Sequence, residues 1–222
     1  MKKIFITGIS GFVGNHLTRK LLESRDVLIS GTYLSENSKK ALSDISAKIK
    51  LFQLDLMNYE AVYKVVEEVK PDEIYHLAAI AAPSQSFENP GAVFANNITS
   101  QINLLEAVRK VKISPKIMVI SSGEVYGRVD PKDLPIDENT PLVPTNSYAV
   151  SKITQDFMGL QYKMSYGIDI IRVRPFNHIG PGQTDKFATS AFAKKIAEIE
   201  KGKRKPTLPA SNCACLKIKC KR

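Results

Sequence analysis

Tyr148 and Lys152 stand four residues apart in a segment whose apolar positions, Ile153, Phe157, Leu160 and Met164, recur at helical spacing. That spacing puts a phenol and an ammonium on one face of one helix. Upstream, the apolar run 116–120 ends in Ser121-Ser122, with Glu124 two residues further on. A strand that ends in hydroxyls beside a helix bearing Tyr and Lys is a proton-transfer arrangement. A free tyrosine has a pKa near ~10, too high for ready proton exchange at neutral pH, and a nearby ammonium favours its phenolate form. Ser122 can hydrogen-bond the same substrate oxygen. The Y-x-x-x-K pattern alone is common, and it gains weight only from what precedes it in the chain.

What precedes it is Lys3-Ile4-Phe5-Ile6-Thr7-Gly8-Ile9-Ser10-Gly11-Phe12-Val13-Gly14, which reads as a buried strand, a glycine-punctuated turn and a helix. The spacing is G-x-x-G-x-x-G and not the commoner G-x-G-x-x-G. Gly8 permits a tight turn, Gly11 lets backbone approach a pyrophosphate and Gly14 allows close helix–strand packing, so the helix N-terminus can receive phosphate charge. An ordinary tight turn is the alternative, and the strand-before, helix-after context argues against it.

Strands are predicted at 27–33, 50–54, 73–77, 116–120 and 168–173, and helices at 59–69, 92–110, 148–166 and 189–201. Asn58 is the expected cap of the helix at 59–69. Six alternations of strand and helix predict an α/β fold with a doubly wound parallel sheet. The second strand ends at Tyr33, where a dinucleotide fold meets the adenosine ribose. No acid stands directly at that end and Lys39 and Lys40 follow, which suits a 2′-phosphate unless these lysines are merely solvated. Asp55-Leu56 falls where an adenine ring would lie, and Leu77, Ala78 and Ala79 would let a cofactor backbone pass closely. His76, mid-strand, reads as a hydrogen-bonded structural histidine. Asn96 and Asn97 interrupt an apolar helix as either a surface feature or a site that reaches the cofactor. The long loop before Tyr148 is of the kind that usually carries function.

The 222 residues are 43% hydrophobic and 24% charged, enough for one substantial core. The net charge of +10 would suit nucleic acid, but residues 1–193 carry 22 Lys and Arg against 20 acids, so the basicity belongs to the tail. Neither a nucleic-acid partner nor a membrane is expected. The start MKKIFITG enters the first strand without a cleavage region, and the default reading is cytoplasmic. Cys213, Cys215 and Cys220 complete neither a disulfide framework nor a zinc pattern, and no metal is expected.

Taken together, Thr7-Gly8-x-x-Gly11-x-x-Gly14, Asp55-Leu56, His76-Leu77-Ala78-Ala79, Ser121-Ser122-Gly-Glu-Val-Tyr126-Gly127, Tyr148-x-x-x-Lys152 and Arg174-Pro-Phe-Asn177-His-Ile-Gly-Pro resemble the extended short-chain dehydrogenase/reductase family over about residues 1–205. Within it the chain is similar to nucleotide-sugar enzymes. The run from Arg174 to Gln183 is most similar to GDP-mannose 4,6-dehydratases and GDP-4-keto-6-deoxymannose reductases. The resemblance implies an NADP(H) or NAD(H) site formed by Gly8, Gly11, Phe12, Val13, Gly14, Tyr33, Asp55, Leu56, Leu77, Ala78, Ala79, Asn97, Tyr148, Lys152 and Phe176. It implies sugar contacts from Ser86, Ser122, Tyr148 and Asn177, and a homodimer built on helices 92–110 and 148–166.

Two departures separate the sub-branches. Dehydratases typically carry a Thr, then an acid or serine, then Glu before V-Y-G, with Ser-His after the fourth strand; here Ser122-Gly123-Glu124 and Ala81-Ala82 stand instead. Glu124 keeps a base for a sugar C5 proton, but position 123 has no side chain to help water depart. The expected function is therefore reduction of a nucleotide-linked 4-keto-6-deoxy sugar, GDP-linked by preference, with Ser122, Tyr148, Lys152 and Glu124 as the catalytic set. A 4,6-dehydratase, a 4-epimerase and a non-catalytic nucleotide-binding protein are the alternatives. The expected organisation is a dinucleotide-binding domain at 1–188, the start of a substrate domain at 189–205 and an atypical basic tail at 206–222. Most of the small substrate domain is expected to be missing, which predicts weak sugar-nucleotide binding and poor turnover.

Overall fold

The computed structural model describes residues 1–24, 26–81 and 83–207, so the three cysteines of the tail lie outside the described residues. Six strands, β1 (Lys2–Thr7), β2 (Val27–Tyr33), β3 (Lys50–Gln53), β4 (Glu73–His76), β5 (Lys116–Ile120) and β6 (Ile170–Val173), form one parallel sheet. Their spatial order is β3-β2-β1-β4-β5-β6. The helices are α1 (Phe12–Leu21), α2 (Glu36–Lys39), α3 (Tyr59–Val69), α4 (Pro83–Glu88), α5 (Pro90–Val111), α6 (Ser147–Tyr166) and α7 (Ala188–Glu200).

The period-two alternation of β1 divides the core between the two faces of the sheet. Phe5 joins Val62, Val66, Leu104, Leu105, Val119 and Tyr162 under α3, α5 and α6. Ile4 and Ile6 join Ile9, Ile29, Leu42 and Ile45 on the opposite face, with Leu17 and Leu21 of α1 packed against them. Because both faces are covered, the central strands read as continuous apolar runs.

Helix starts are set by short polar side chains, as capping demands. Asn58 accepts from Ala61 N (3.1 Å) at α3, as expected, and Asn89 accepts from Ala92 N (3.0 Å) at α5. Pro90, pre-set for a first helical position, starts α5 two residues earlier than apolar periodicity suggests. β6 begins at Ile170, two residues later than expected. The long loop before α6 is partly ordered by 3-10 turns at Gly123–Tyr126 and Pro131–Asp133.

Contacts divide the chain into units Met1–His178 and Ile179–Arg222. The first contains the whole sheet. In the second, Lys194 pairs with Asp185 (2.7 Å) and Ser190 Oγ donates to Gln183 Oε1 (2.9 Å), fastening α7 to the segment before it.

Candidate active site

The sheet changes winding direction between β1 and β4, where a crevice opens at the C-terminal strand ends. Gly8 closes β1 at φ +69°, and a Cβ there would come 3.0 Å from Ala78 Cα and N at the end of β4. The turn therefore lies directly against the fourth strand, a closeness only glycine allows. Gly14 is more constrained, since a Cβ would sit 2.4 Å from Gly8 O and 2.8 Å from Ile9 Cα. Gly11 caps α1 with no side-chain hydrogen bond and no acid in the first turn, leaving the partly positive end of α1, at Phe12 and Val13, open to an anion. These glycines form a cradle that fits a pyrophosphate.

The ribose end differs from the sequence reading. Glu36, the first residue of α2, folds back on the end of β2, where its carboxylate accepts from Tyr33 Oη (2.8 Å) and pairs with Lys39 (3.5 Å). An acid therefore does stand beside the strand end, and Lys39 is tied to it and lies over the Tyr33 ring at 5.3 Å. Asp55 is exposed and accepts from Met57 N (2.9 Å), while Leu56 is buried.

At the other side of the crevice β5 delivers Ser121 and Ser122. Ser121 Oγ donates to Lys152 O (3.1 Å), which fastens the strand end to α6. Ser122 acts on the Tyr148 phenol, holding its pKa down, and Glu124 N donates to Ser122 Oγ (3.2 Å). Asn146 caps α6 by accepting from Ala149 N (2.7 Å) and donates through Nδ2 to Glu124 Oε2 (3.4 Å). Ser122, Glu124 and Tyr148 are thus gathered at one point, and Asn146 links Glu124 to the start of the helix that carries Tyr148. A cap signal two residues before Tyr148 was the available clue to Asn146.

The expected electrostatic pairing is not what holds Tyr148. Burial raises its pKa, Ser122 opposes that rise and Glu124 adds to it. Lys152 Nζ turns inward instead, donating to Ile120 O (2.9 Å) and Gln155 Oε1 (2.8 Å). The phenol is consequently protonated at neutral pH, and burial lowers Lys152 itself to about 7.

A pocket beside this cluster is lined by Gly123, Glu124, Tyr126, Ile136, Phe176 and Asn177. Phe176 is exposed and stacks on Tyr126 (centroids 6.3 Å, 9° between planes). It also covers Gly123 so closely that a Cβ there would lie 2.9 Å from Phe176 Cδ1. Arg174 supports this wall, donating to Tyr126 Oη and Glu138 O (3.2 Å each). Its guanidinium pairs with Asp156 (2.7 Å), a fully buried carboxylate that also pairs with Arg172.

Two expected contact residues are placed away from open space. Asn97 is fully buried, accepting from Ile80 N (2.8 Å) and donating to Ile80 O (3.2 Å) and Ser151 Oγ (3.0 Å). It shapes the crevice by fixing the chain after β4, since none of its amide remains to meet a ligand directly. Ser86 is buried in α4. Leu77, Ala78 and Ala79 line the β4 end, half-buried.

His76 Nδ1 meets Thr7 Oγ1 at 2.9 Å, and that oxygen accepts from Ala78 N (3.2 Å). Burial first, and the Lys152 charge second, push the His76 pKa down to about 3. An unfolded imidazole protonates near ~6.5, so from there down to about 3 the unfolded chain holds the extra proton and folding stability falls as pH falls. Urea denaturation should show a loss on the order of 2 kcal/mol between pH 7 and pH 5 from this group. His76→Gln should flatten that slope, and an unchanged slope would show that another group carries it.

Among the described residues, no three His, Cys, Asp or Glu side chains group to hold a metal ion, and no helix is long and apolar enough to cross a membrane. Residues 5–213 match the GDP-mannose 4,6 dehydratase family. The GDP-6-deoxy-D-mannose reductase of Pseudomonas aeruginosa is 33% identical over 201 residues, covering 90% of this chain and 60% of that protein. The UDP-glucose 4-epimerase of Lacticaseibacillus casei is 31% identical over 177 residues, covering 80% of this chain and 52% of its own length. The chain thus spans roughly half to three-fifths of these relatives. The structure of RMD from Pseudomonas aeruginosa complexed with NADPH superposes with a TM-score of 0.78 at 32% identity, covering 92% of this chain and 64% of that one. With its glycine cradle at the β1–β4 crevice and Ser122, Tyr148 and Lys152 at the neighbouring strand end, the chain belongs to the GDP-mannose 4,6-dehydratase family of extended short-chain dehydrogenase/reductases.

Proposed function

We propose that this chain carries the cofactor site and catalytic residues of a reductase acting on a nucleotide-linked 4-keto-6-deoxy sugar, GDP-linked by preference. The observation that carries this choice is Phe176 over Gly123. A dehydratase needs a group that helps water leave the sugar, and the position where that branch typically places one has no side chain and is covered by an aromatic ring. Ketone reduction needs only a hydride, a proton donor and a hydrogen bond to the forming alkoxide.

The cradle of Gly8, Gly11 and Gly14, the N-terminus of α1 and the Ala78 backbone would hold the dinucleotide, with Tyr33 and Asp55 toward its adenosine and Phe176 toward its nicotinamide. NADP(H) or NAD(H), bound there, supplies or accepts the hydride. The P. aeruginosa RMD structure, complexed with NADPH, supports that assignment. Tyr148, held protonated by burial and by Glu124, donates its proton to the sugar oxygen at C4. Ser122 hydrogen-bonds that same oxygen, and Asn177 at the pocket wall faces the sugar. Residues 189–205 are read as the start of a substrate-binding domain.

The deciding experiment is incubation with GDP-mannose and catalytic NADP, with no reduced cofactor. No 4-keto product is expected, whereas NADPH should be consumed when the 4-keto-6-deoxy sugar nucleotide is supplied. Formation of the 4-keto sugar from GDP-mannose would establish the dehydratase, for which Glu124 remains as a base. Interconversion of 4-epimers would establish the epimerase.

The proposal includes a homodimer through α5 and α6, which expose Ile102, Val150, Phe157, Met164 and Tyr166. Sedimentation equilibrium should return twice the chain mass, and a monomer at every concentration would remove this interface.

A further inference from the structure

Gln155 lies one helical turn beyond Lys152 on α6 and is fully buried, yet every polar end of it is used. Its Nε2 donates to Asn97 O (2.9 Å), and its backbone carbonyl accepts from Gln101 Nε2 (2.8 Å). The carbonyl of Asn97 can only accept, so the amide group of Gln155 cannot turn around. Its Oε1 is therefore aimed permanently at Lys152, which donates to it at 2.8 Å and to Ile120 O at 2.9 Å. Two of the three ammonium donors are thus committed to protein acceptors, and Nζ lies 5.9 Å from the centre of the Tyr148 ring.

We propose that Gln155 is a positioning residue that holds Lys152 in a withdrawn seat, from which a nicotinamide nucleotide must draw the lysine in order to bind. The inference rests on the cofactor reading above. Hydrogen bonds to an ionised donor are among the stronger ones available to a side chain. A lysine occupied by Gln155 for most of the time leaves only a fraction of the chain competent for the nucleotide, and apparent affinity falls by that fraction. Asn97 and Gln101, by clamping Gln155 from α5, set how firmly the seat holds. The polar side chains on the facing surfaces of α5 and α6 thereby gain a role beyond joining the helices.

The test is a fluorescence titration of NADPH into the full chain, read as Kd without any turnover. Gln155→Met keeps side-chain length and removes the acceptor, so NADPH should bind about fivefold tighter. Gln155→Glu gives up the donor to Asn97 O but keeps an acceptor for Lys152 and adds charge to it, so binding should weaken by about fivefold or more. In a Lys152→Met background neither substitution should move Kd by as much as twofold, because the group they compete for is gone. A disturbance of α5–α6 packing would weaken binding in both variants and persist without Lys152, and either outcome overturns the proposal. If circular dichroism shows Gln155→Met unfolded, the Gln155→Glu pair, with and without Lys152, decides alone. Wild-type chain that binds no nicotinamide nucleotide would overturn the cofactor reading and this proposal with it. Binding that ignores position 155 would overturn this proposal only.

Discussion

Tyr148→Phe is expected to lower the single-turnover rate of ketone reduction by about 10²- to 10⁴-fold, the usual contribution of a positioned general acid, while NADPH affinity stays within about twofold. The split follows from the packing. The Tyr148 ring is buried and remains in place in the variant, so the helix start capped by Asn146 is undisturbed. The seat of Lys152 on Ile120 O and Gln155 Oε1 involves no contact with the phenol oxygen. Only the phenol oxygen, its proton and its interaction with Ser122 are lost. Lys152→Met should instead reduce both affinity and rate. Rapid-mixing kinetics with the 4-keto sugar nucleotide, paired with a fluorescence titration, separates the two effects. A phenylalanine variant that kept most of its rate would mean that the proton comes from another group.

Gly14→Val should weaken nucleotide binding strongly, for a reason that is purely steric. The added Cβ would fall 2.4 Å from Gly8 O and 2.8 Å from both Ile9 Cα and Ile9 O, all backbone atoms that cannot rotate away. The β1–α1 turn would have to move, and it is tied down by Gly8 N donating to Thr32 Oγ1 (3.1 Å) and Ile9 N donating to Thr32 O (3.0 Å). Overpacking of this kind costs ~1–3 kcal/mol, which translates into about a 5- to 150-fold loss of NADPH affinity if the strain falls on the bound geometry of the turn. Gly11→Ala is the milder comparison, since its Cβ meets only Gly8 O at 3.1 Å. Isothermal titration of both variants tests the ranking, and equal losses would show that the turn is not the nucleotide cradle.

Local pattern was sufficient for the alternating elements, because each depends on neighbours a few residues away. The apolar run of β1, the helical spacing after Phe12 and the Asn58 cap are all short-range signals, and each corresponds to an observed element. The i to i+4 relation of Tyr148 and Lys152 was legible for the same reason, as was the strand that ends at Ser121 and Ser122. What those side chains do there was not legible. Spacing alone predicted an ammonium beside the phenol, whereas a carbonyl at the end of β5 and the amide of Gln155 draw Lys152 inward. Glu36, at the first position of α2, turns its carboxylate back onto Tyr33, which a reading of the residues directly at the strand end did not foretell. Asn97 was taken for a ligand contact and is consumed by Ile80 and Ser151. Phe176 covers Gly123 because β6 lies beside β5, an adjacency that exists only in the assembled sheet. The sequence by itself determined which elements form and which residue types could react, since backbone propensity and hydrophobic period act over a single turn or strand. Tertiary structure alone decided which donors and acceptors meet, because a buried polar group must find its partner wherever packing brings one, at any distance along the chain.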